Sequence, residues 1–393
     1  MKKTLTLIRY ALAGIAFVLI CLLSFGYLTQ QNHTVKSFLD GRVLTEFHVP
    51  TKSTFLDGSW MKETEGYVDD RMVGRRLLLT LHAAVATKVF RSNEISGVWI
   101  DRKTGMLQED MPVLAPIERL DAGLTNLQAI TTTNHVPLLF VYIPKKQEAF
   151  ADVLPKNWDN VYLDNKPSVL AEFAKHGPVL DLTPTVSDKS TRMKDWFLTD
   201  HHWSQYGAMA ASTAVRNQLN LMGLPAPTAL PTMDISTKYP NFIGSIGRRI
   251  TTAGVPKRDP FTVTWSSKSD LTHCMNRSIH RAVCNDPIFS KARGYQKDVY
   301  SNRYGTFMGG DNGIDDLRGN GTGTYIILKD SFGDSFVPYF ALGAKRVVAI
   351  DERHYSGEAL SKLIADVKPN GVIFMHNQLT MSTFTDHEIA AWR

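Results

Sequence analysis

The C-terminal part of the chain constrains the fold most. Short apolar runs at Tyr325–Leu328, Arg346–Ile350 and Gly371–Met375 alternate with helical periodicity at Phe332–Leu342 and Gly357–Val367. Runs of that length, separated by amphipathic stretches, read as strands. A β-α-β-α-β series requires a parallel sheet with right-handed crossovers. Ligands of such sheets bind outside the carboxyl ends of the strands. Three loops are therefore predicted to meet at one edge: Lys329–Gly333, Asp351–Gly357 and His376–Gln378.

The same alternation occurs upstream. A helix over Ile117–Thr131 precedes a buried strand, Val136–Ile143, which Pro144 ends. A helix over Ser168–Lys175 leads through Gly177-Pro178 to a strand at Val179–Leu182. Ser204 can cap a helix running to Met222, with Gly223 and Pro225 as its stop. Residues 225–322 are rich in Thr, Pro, Gly, Asn and Arg, and read either as an insertion of a few strands and long loops or as a substrate-facing cap. Residues 31–95 read as a stalk whose helix is marked by Leu77, Leu78, Leu79, Leu81, Ala84 and Val85. The catalytic domain is then 96–393. The chain is 43% hydrophobic and 21% charged, which suits a sizeable core.

At the N-terminus Lys2, Lys3 and Arg9 precede an uncharged run, Tyr10–Thr29. As a helix this run is about 30 Å long, the thickness of a bilayer's hydrocarbon core. Positive charge before it places the tip, within residues 1–30, in the cytoplasm and the rest outside. The competing reading, a cleaved signal peptide, has a shorter apolar region and a small-x-small cleavage site that is not clear here. The chain is thus expected to be a single-pass cell-membrane protein held by residues 10–29. Cys21 falls inside the run. Cys274 and Cys284 lie outside the membrane in this topology, where a disulfide between them is expected, with two free thiols as the alternative. The net charge of +6 is modest, and no Lys/Arg block interleaved with aromatics supports nucleic-acid binding.

Two segments carry candidate chemistry. Asp330-Ser331 follows a predicted strand and opens a predicted helix, whose N-terminus favours developing negative charge. Taken alone, Ser331 reads equally as a helix cap and as a nucleophile. In Thr199-Asp200-His201-His202-Trp203, an extended backbone would put Asp200 and His202 on one face and His201 on the other. A general base needs such a carboxylate to orient its imidazole. Triad partners, metal ligands and purely structural residues all compete for the cluster. A metal would want further ligands, and Asp195 and His135 are available but unpatterned, so no metal is assigned. Asn377 ends the last strand, where its amide could donate to an oxyanion or merely turn the chain.

With Lys329-Asp330-Ser331-Phe332, the Thr199–Trp203 motif resembles the DHHW family. Those proteins are related to the alginate O-acetyltransferase proteins and, more distantly, to the D-alanyl transfer protein of teichoic acids. The resemblance extends to the strand and loop Val348–Tyr355, to Val141–Lys146 and to Asn241–Ser245, over about residues 60–390. It implies an α/β, SGNH-like parallel sheet flanked by helices, circularly permuted so that Asp-x-His precedes the serine. It further implies Ser331 as nucleophile, His202 as base, Asp200 as orienter and Asn377 in the oxyanion position, with Trp203, Arg353 and Tyr355 as substrate-binding candidates. Lys329 departs from the Gly-Asp-Ser of the wider hydrolase group but agrees with the DHHW form.

The function so implied is O-acetylation of a cell-surface or secreted polysaccharide. The chain has no nucleotide-binding glycine loop, so no cofactor is expected and the acyl group comes from outside, with a multi-spanning membrane acyltransferase as the implied source. A carbohydrate esterase would use the same triad with water as acceptor. A non-catalytic carbohydrate-binding scaffold would use aromatics such as Trp196, Trp203, Tyr339 and Tyr355. A DHH-type metal phosphoesterase would need further Asp motifs that the sequence lacks.

Overall fold

The computed structural model describes residues 34–385 apart from 157, 277 and 278, together with residues 10, 14, 17 and 18. The run Tyr10–Thr29 lies almost wholly outside the described residues. Among those described, no helix is long and apolar enough to cross a membrane.

One seven-stranded sheet organises the domain. Its strands are β1 (Leu138–Ile143), β2 (Val179–Asp181), β3 (Thr272–Met275), β4 (Ile314–Arg318), β5 (Thr324–Lys329), β6 (Arg346–Ile350) and β7 (Gly371–Asn377). Their spatial order is β3-β4-β6-β5-β7-β1-β2. Pairing is parallel from β6 through β2. The wholly parallel sheet predicted from the sequence is thus a mixed one, because β3 and β4 join its edge antiparallel. Both come from residues 225–322, so that region builds part of the main sheet as well as loops. A separate hairpin there pairs Ile235–Phe242 with Asp259–Trp265.

Alternation along the strands fills two cores. Leu139, Val141 and Ile143 of β1 pack with Tyr325, Ile327, Ile373 and Met375. Leu138, Phe140 and Tyr142 pack on the opposite face with Ile326, Leu328, Val372 and Phe374. This two-sided burial is why the strands read as continuous apolar runs. The helices include α1 (Arg75–Ala84), α2 (Asp121–Thr133), α3 (Val161–His176), α4 (Gln205–Leu221), α5 (Phe332–Ala341) and α6 (Leu360–Val367). Helices α4 and α5 cover the first face, and α2, α3 and α6 the second. Helix α3 starts earlier than its periodicity suggests. Asn160 caps it by accepting the Leu163 N–H at 3.3 Å, and Pro167 is tolerated inside it.

The chain crosses from β5 to β6 on one side and returns to β7 on the other side of β5. The carboxyl end of β5 is therefore the topological switch point, where adjacent loops diverge and leave a crevice. Ser331 stands just beyond it.

Residues 34–90 fold back on the domain and do not stand off as a linear stalk. In a small hairpin, Lys36–Ser37 pairs with Arg42–Val43. Asp40 of its turn takes a bidentate pair from Arg75 at 3.1 and 2.9 Å, and Arg42 pairs with Asp70 at 2.8 and 2.6 Å. Arg76 lies over the Tyr300 ring, 4.8 Å from its centre. Cys274 of β3 is disulfide-bonded to Cys284, with 4.5 Å between their Cα atoms.

Just past β1, burial pushes the Glu148 carboxyl up to about 7. It accepts from the Lys145 N–H and the Tyr142 hydroxyl, each at 2.7 Å. A folded-state value above the ordinary 4.5 favours the fold fully at low pH, and that advantage is lost as pH rises through about 7. Wild-type protein is expected to lose up to about 3 kcal/mol of stability through this group between pH 4.5 and 7.5. Glu148→Gln should flatten that slope in urea melts across the range. A parallel pH dependence in both proteins would show that Glu148 does not titrate there.

Candidate active site

The site forms where β5, the segment Thr199–Trp203 and β7 meet. Ser331 precedes α5 in the N-cap position, but its hydroxyl makes no capping bond. Its Oγ lies 2.8 Å from His202 Nε2. His202 Nδ1 lies 2.6 Å from Asp200 Oδ1, and Asp200 Oδ2 accepts the Ser245 N–H at 2.8 Å. Carboxylate, imidazole and hydroxyl thus form one continuous relay. Burial alone would raise the Asp200 carboxyl. The charge of His202 and its hydrogen bond, then His201 and the Ser245 N–H, outweigh burial and hold Asp200 well below the usual carboxylate range.

The relay arises from a turn, not from the extended backbone that the sequence suggests. Asp200 Oδ1 also accepts the N–H of His202 at 3.0 Å, two residues on, and this side-chain turn curls the chain. His201 consequently sits beside its neighbour: the two imidazoles are in contact at 3.8 Å between centres, tilted by 36°. His201 Nδ1 lies 2.6 Å from Ser245 Oγ. Burial, then the charge of His202, keeps the His201 imidazole well below its ordinary value, which favours the neutral ring.

Two buried charges hold the segment's backbone. Lys146 Nζ donates to the carbonyls of Leu198 and Asp200, both at 2.9 Å, and burial brings this lysine down to about 8. Asp259 accepts the backbone N–H groups of Leu198 and Thr199 and the Thr199 hydroxyl, and burial pushes it up to about 6. Tyr304 lies flat against the other face of the relay, its ring 3.9 Å from the His202 ring at 7°. Its hydroxyl meets Ser335 Oγ at 2.8 Å, as does Trp203 Nε1. Trp203 also donates to the Phe332 carbonyl at 3.2 Å. The indole therefore staples the histidine segment to the helix that the serine begins.

That geometry corrects several expectations. Trp203 is fully buried and cannot line a substrate site. The Asn377 amide donates to Asp330 Oδ2 at 2.5 Å and to Thr380 Oγ1 at 3.0 Å, while its oxygen caps the following helix by accepting the Thr380 N–H. Asn377 thus anchors Asp330 instead of presenting its amide to an oxyanion. Asp330 in turn accepts the Phe332 N–H at 2.9 Å, fixing the turn around Ser331. Arg353 is held by Asp351 at 2.8 and 2.5 Å and reaches Asp311 at 3.3 Å. Asp351 and Asp334 also flank the buried ammonium of Lys329, which raises that lysine. Tyr355 donates to the Glu358 carbonyl and packs on the second core.

Sequence reasoning missed Tyr304, Asp259, Ser245 and Lys146 as parts of the site. Ser245 and Lys146 carried a signal, since both end stretches that resembled the DHHW family. Tyr304 and Asp259 carried none: no spacing links them to the histidines. Asp200, His201 and His202 lie close enough together to hold a cation. However, both His202 nitrogens are engaged with protein partners, as is His201 Nδ1. A cleft of about 520 Å³ opens beside the relay. His201, Ser245, Arg248 and Glu109 line its domain side, and Leu39, Asp40 and Arg75 the N-terminal side.

The family model for the SGNH hydrolase-like domain of acetyltransferase AlgX matches residues 99–258, the stretch that includes Asp200 and His202. No curated protein matches the chain. Among solved structures, a DHHW family protein from Eubacterium siraeum has a TM-score of 0.59 at 18% identity, over 76% of this chain and 96% of its own. PatB1 from Bacillus cereus has the same TM-score and identity, over 74% of this chain and 98% of its own, and it is also known with a sulfonyl adduct. The chain resembles the AlgX domain in sequence and shares the fold of the DHHW protein.

Proposed function

We propose that this protein is an extracytoplasmic O-acetyltransferase that acylates a polysaccharide through Ser331, His202 and Asp200. The observation that carries the reading is the bonding of Ser331. Its hydroxyl is turned from the helix it could cap and lies on an imidazole that a carboxylate orients. The match to the AlgX acetyltransferase domain supports the acyl-transfer class, and the DHHW protein and PatB1 share the fold.

In the first step His202 Nε2 takes the Ser331 proton as Oγ attacks the donor's acyl carbon. The tetrahedral intermediate collapses, the bond to the donor's leaving atom breaks, and His202 returns the proton to that atom. In the second step a sugar hydroxyl gives its proton to His202 and attacks the acyl-serine. The acyl–Oγ bond breaks and Ser331 is reprotonated. Ser331 stands at the start of α5, whose dipole favours negative charge developing beside it. The neutral His201 avoids a second positive charge beside the imidazolium that forms. The polar cleft at His201 and Ser245 is the acceptor's approach.

Extracytoplasmic placement rests on Lys2, Lys3 and Arg9 before the uncharged run Tyr10–Thr29. The Cys274–Cys284 disulfide supports an oxidising compartment. A chain with one such run and no nucleotide loop receives its acyl group from a membrane partner, a multi-spanning acyltransferase. The test supplies a chromogenic acetyl ester as donor with neutral and acidic oligosaccharides as acceptors, and follows products by mass spectrometry. Acetylated oligosaccharide that disappears in Ser331→Ala is the expected result. Acetate release to water with every acceptor would make the protein an esterase, and no turnover of any ester would make it a binding scaffold.

A further inference from the structure

The outward surface of α1 and the turn after it has the wrong polarity for a helix facing water. Leu77, Leu78, Leu81, Val85, Val89 and Phe90 are exposed, from 43% for Val85 to 76% for Phe90. At 100° per residue Leu77, Leu78, Leu81 and Val85 fall within about a third of the helix circumference, and Val89 follows Val85 by about one π-helical turn, so that they form one stripe. The opposite side is the one that packs: Ala83 is buried, Leu79 and Arg75 line the cleft, and Thr87 donates to the Ala253 carbonyl at 3.5 Å. The helix therefore has two apolar sides, and among the described residues only one meets protein.

The surrounding charge is equally one-sided. From Arg71 to Asn93 the sequence has no Asp or Glu, but it has Arg71, Arg75, Arg76, Lys88 and Arg91. Arg71 is buried, Arg75 pairs with Asp40 and Arg76 with Asp298, which leaves Lys88 and Arg91 beside the far end of the stripe. An apolar stripe with cations at its end and no carboxylate in the segment is the pattern of a helix lying in the headgroup region of an anionic bilayer. Position along the chain agrees. Five residue steps separate Thr29, the end of the uncharged run, from Thr34, and they reach roughly 17 Å when extended. The hairpin that follows is tied to this helix by the Asp40–Arg75 pair and to the helix before it, Ser59–Arg71, by Arg42–Asp70. If the run spans the membrane, the start of α1 is held near the surface.

We propose that the stripe Leu77–Phe90 is a second membrane contact, lying on the anionic leaflet surface beside the anchor. The proposal rests on the anchored topology given above. It adds orientation: α1 then touches lipid with one side and borders the acceptor cleft with the other, so that cleft and relay face a donor arriving at the membrane. A soluble partner protein and a second copy of this chain are the other occupants that such a stripe could accept.

The test uses the full chain reconstituted in vesicles of zwitterionic lipid with a minor fraction of phosphatidylglycerol, in a Cys21→Ser background. Single cysteines at Thr34, Leu81, Val85 and the exposed Leu221 of α4 carry an environment-sensitive fluorophore, read by quenching from lipids spin-labelled near the headgroup and from aqueous iodide. The expected result is lipid quenching at Leu81 and Val85 at least about twofold above that at Leu221, weakened when phosphatidylglycerol is omitted. Quenching at Thr34 without quenching at Leu81 and Val85 overturns the proposal and leaves the anchor standing. No lipid quenching at any of the three overturns both. Protection of Leu81 from iodide without lipid quenching, growing with protein-to-lipid ratio, also overturns it and assigns the stripe to a second copy.

Discussion

Ser331→Ala and His202→Ala are each expected to lower acetyl-ester turnover by roughly four orders of magnitude or more, and the double variant should lose almost nothing further. The reason is the continuity of the relay. Ser331 Oγ has His202 Nε2 at 2.8 Å, and His202 has Asp200 at 2.6 Å, so removing either group ends the same proton transfer. Asp200→Ala should be severe but less complete. The Tyr304 ring still holds the imidazole plane, while the correct tautomer loses its partner. His201→Ala is the informative contrast. Its ring lies against His202 and borders the cleft, but its Nδ1 faces Ser245 and not the serine nucleophile. A loss of about tenfold, mainly in KM for the acceptor, is expected there. Ester turnover on all variants, with circular dichroism to show folding, checks the set. An inactive His201→Ala beside an active His202→Ala would reverse the roles of the two histidines.

Much of this arrangement is legible in the sequence, and the illegible remainder has identifiable causes. The strands β5, β6 and β7 show as apolar runs because both their faces are buried, and the serine is found by its place after β5. The pairing of Asp200 with His202 is also predicted, although for an incorrect reason. Spacing of two fits an extended chain, whereas the structure achieves it by a side-chain turn, and that difference moves His201 from the far face to direct ring contact with His202. Asn377 and Trp203 illustrate the opposite error. Residue type and position suit ligand contact, but their donors are taken by Asp330, Thr380, Ser335 and Phe332, which only tertiary structure reveals. The antiparallel edge, β3 and β4, comes from a region that reads as an insertion of a few strands and long loops or as a cap, and nothing in its Pro-, Gly- and Asn-rich pattern tells which strands join the main sheet. The N-terminal layer hides because its helix presents apolar residues outward, which periodicity alone cannot distinguish from a core-facing side.

Gly244→Ala tests the part of the site that contributes no polar side chain. Gly244 comes just before Ser245, whose N–H holds Asp200 Oδ2, and its own N–H donates to Thr199 Oγ1 at 2.9 Å. A methyl group added there would lie 2.2 Å from Asp200 Cβ and 2.6 Å from its Cα. No real contact is that short, and the obstructing atoms are backbone and Cβ, which no rotamer change can move. Either the Asn241–Ser245 segment or the Asp200 turn must shift, and the turn is clamped by Lys146 from one side and Asp259 from the other. The displacement therefore falls on the bonds from Asp200 to Ser245 and His202. Misplacing a general base by about 1 Å can cost roughly a hundredfold in kcat, and that is the expected loss. Acceptor KM should change much less, because the Arg248 side of the cleft is untouched. The variant keeps every residue of the relay. A kcat near wild type in folded Gly244→Ala protein would therefore show that the position of Asp200 does not limit catalysis, and that Ser331 and His202 work without the alignment described here.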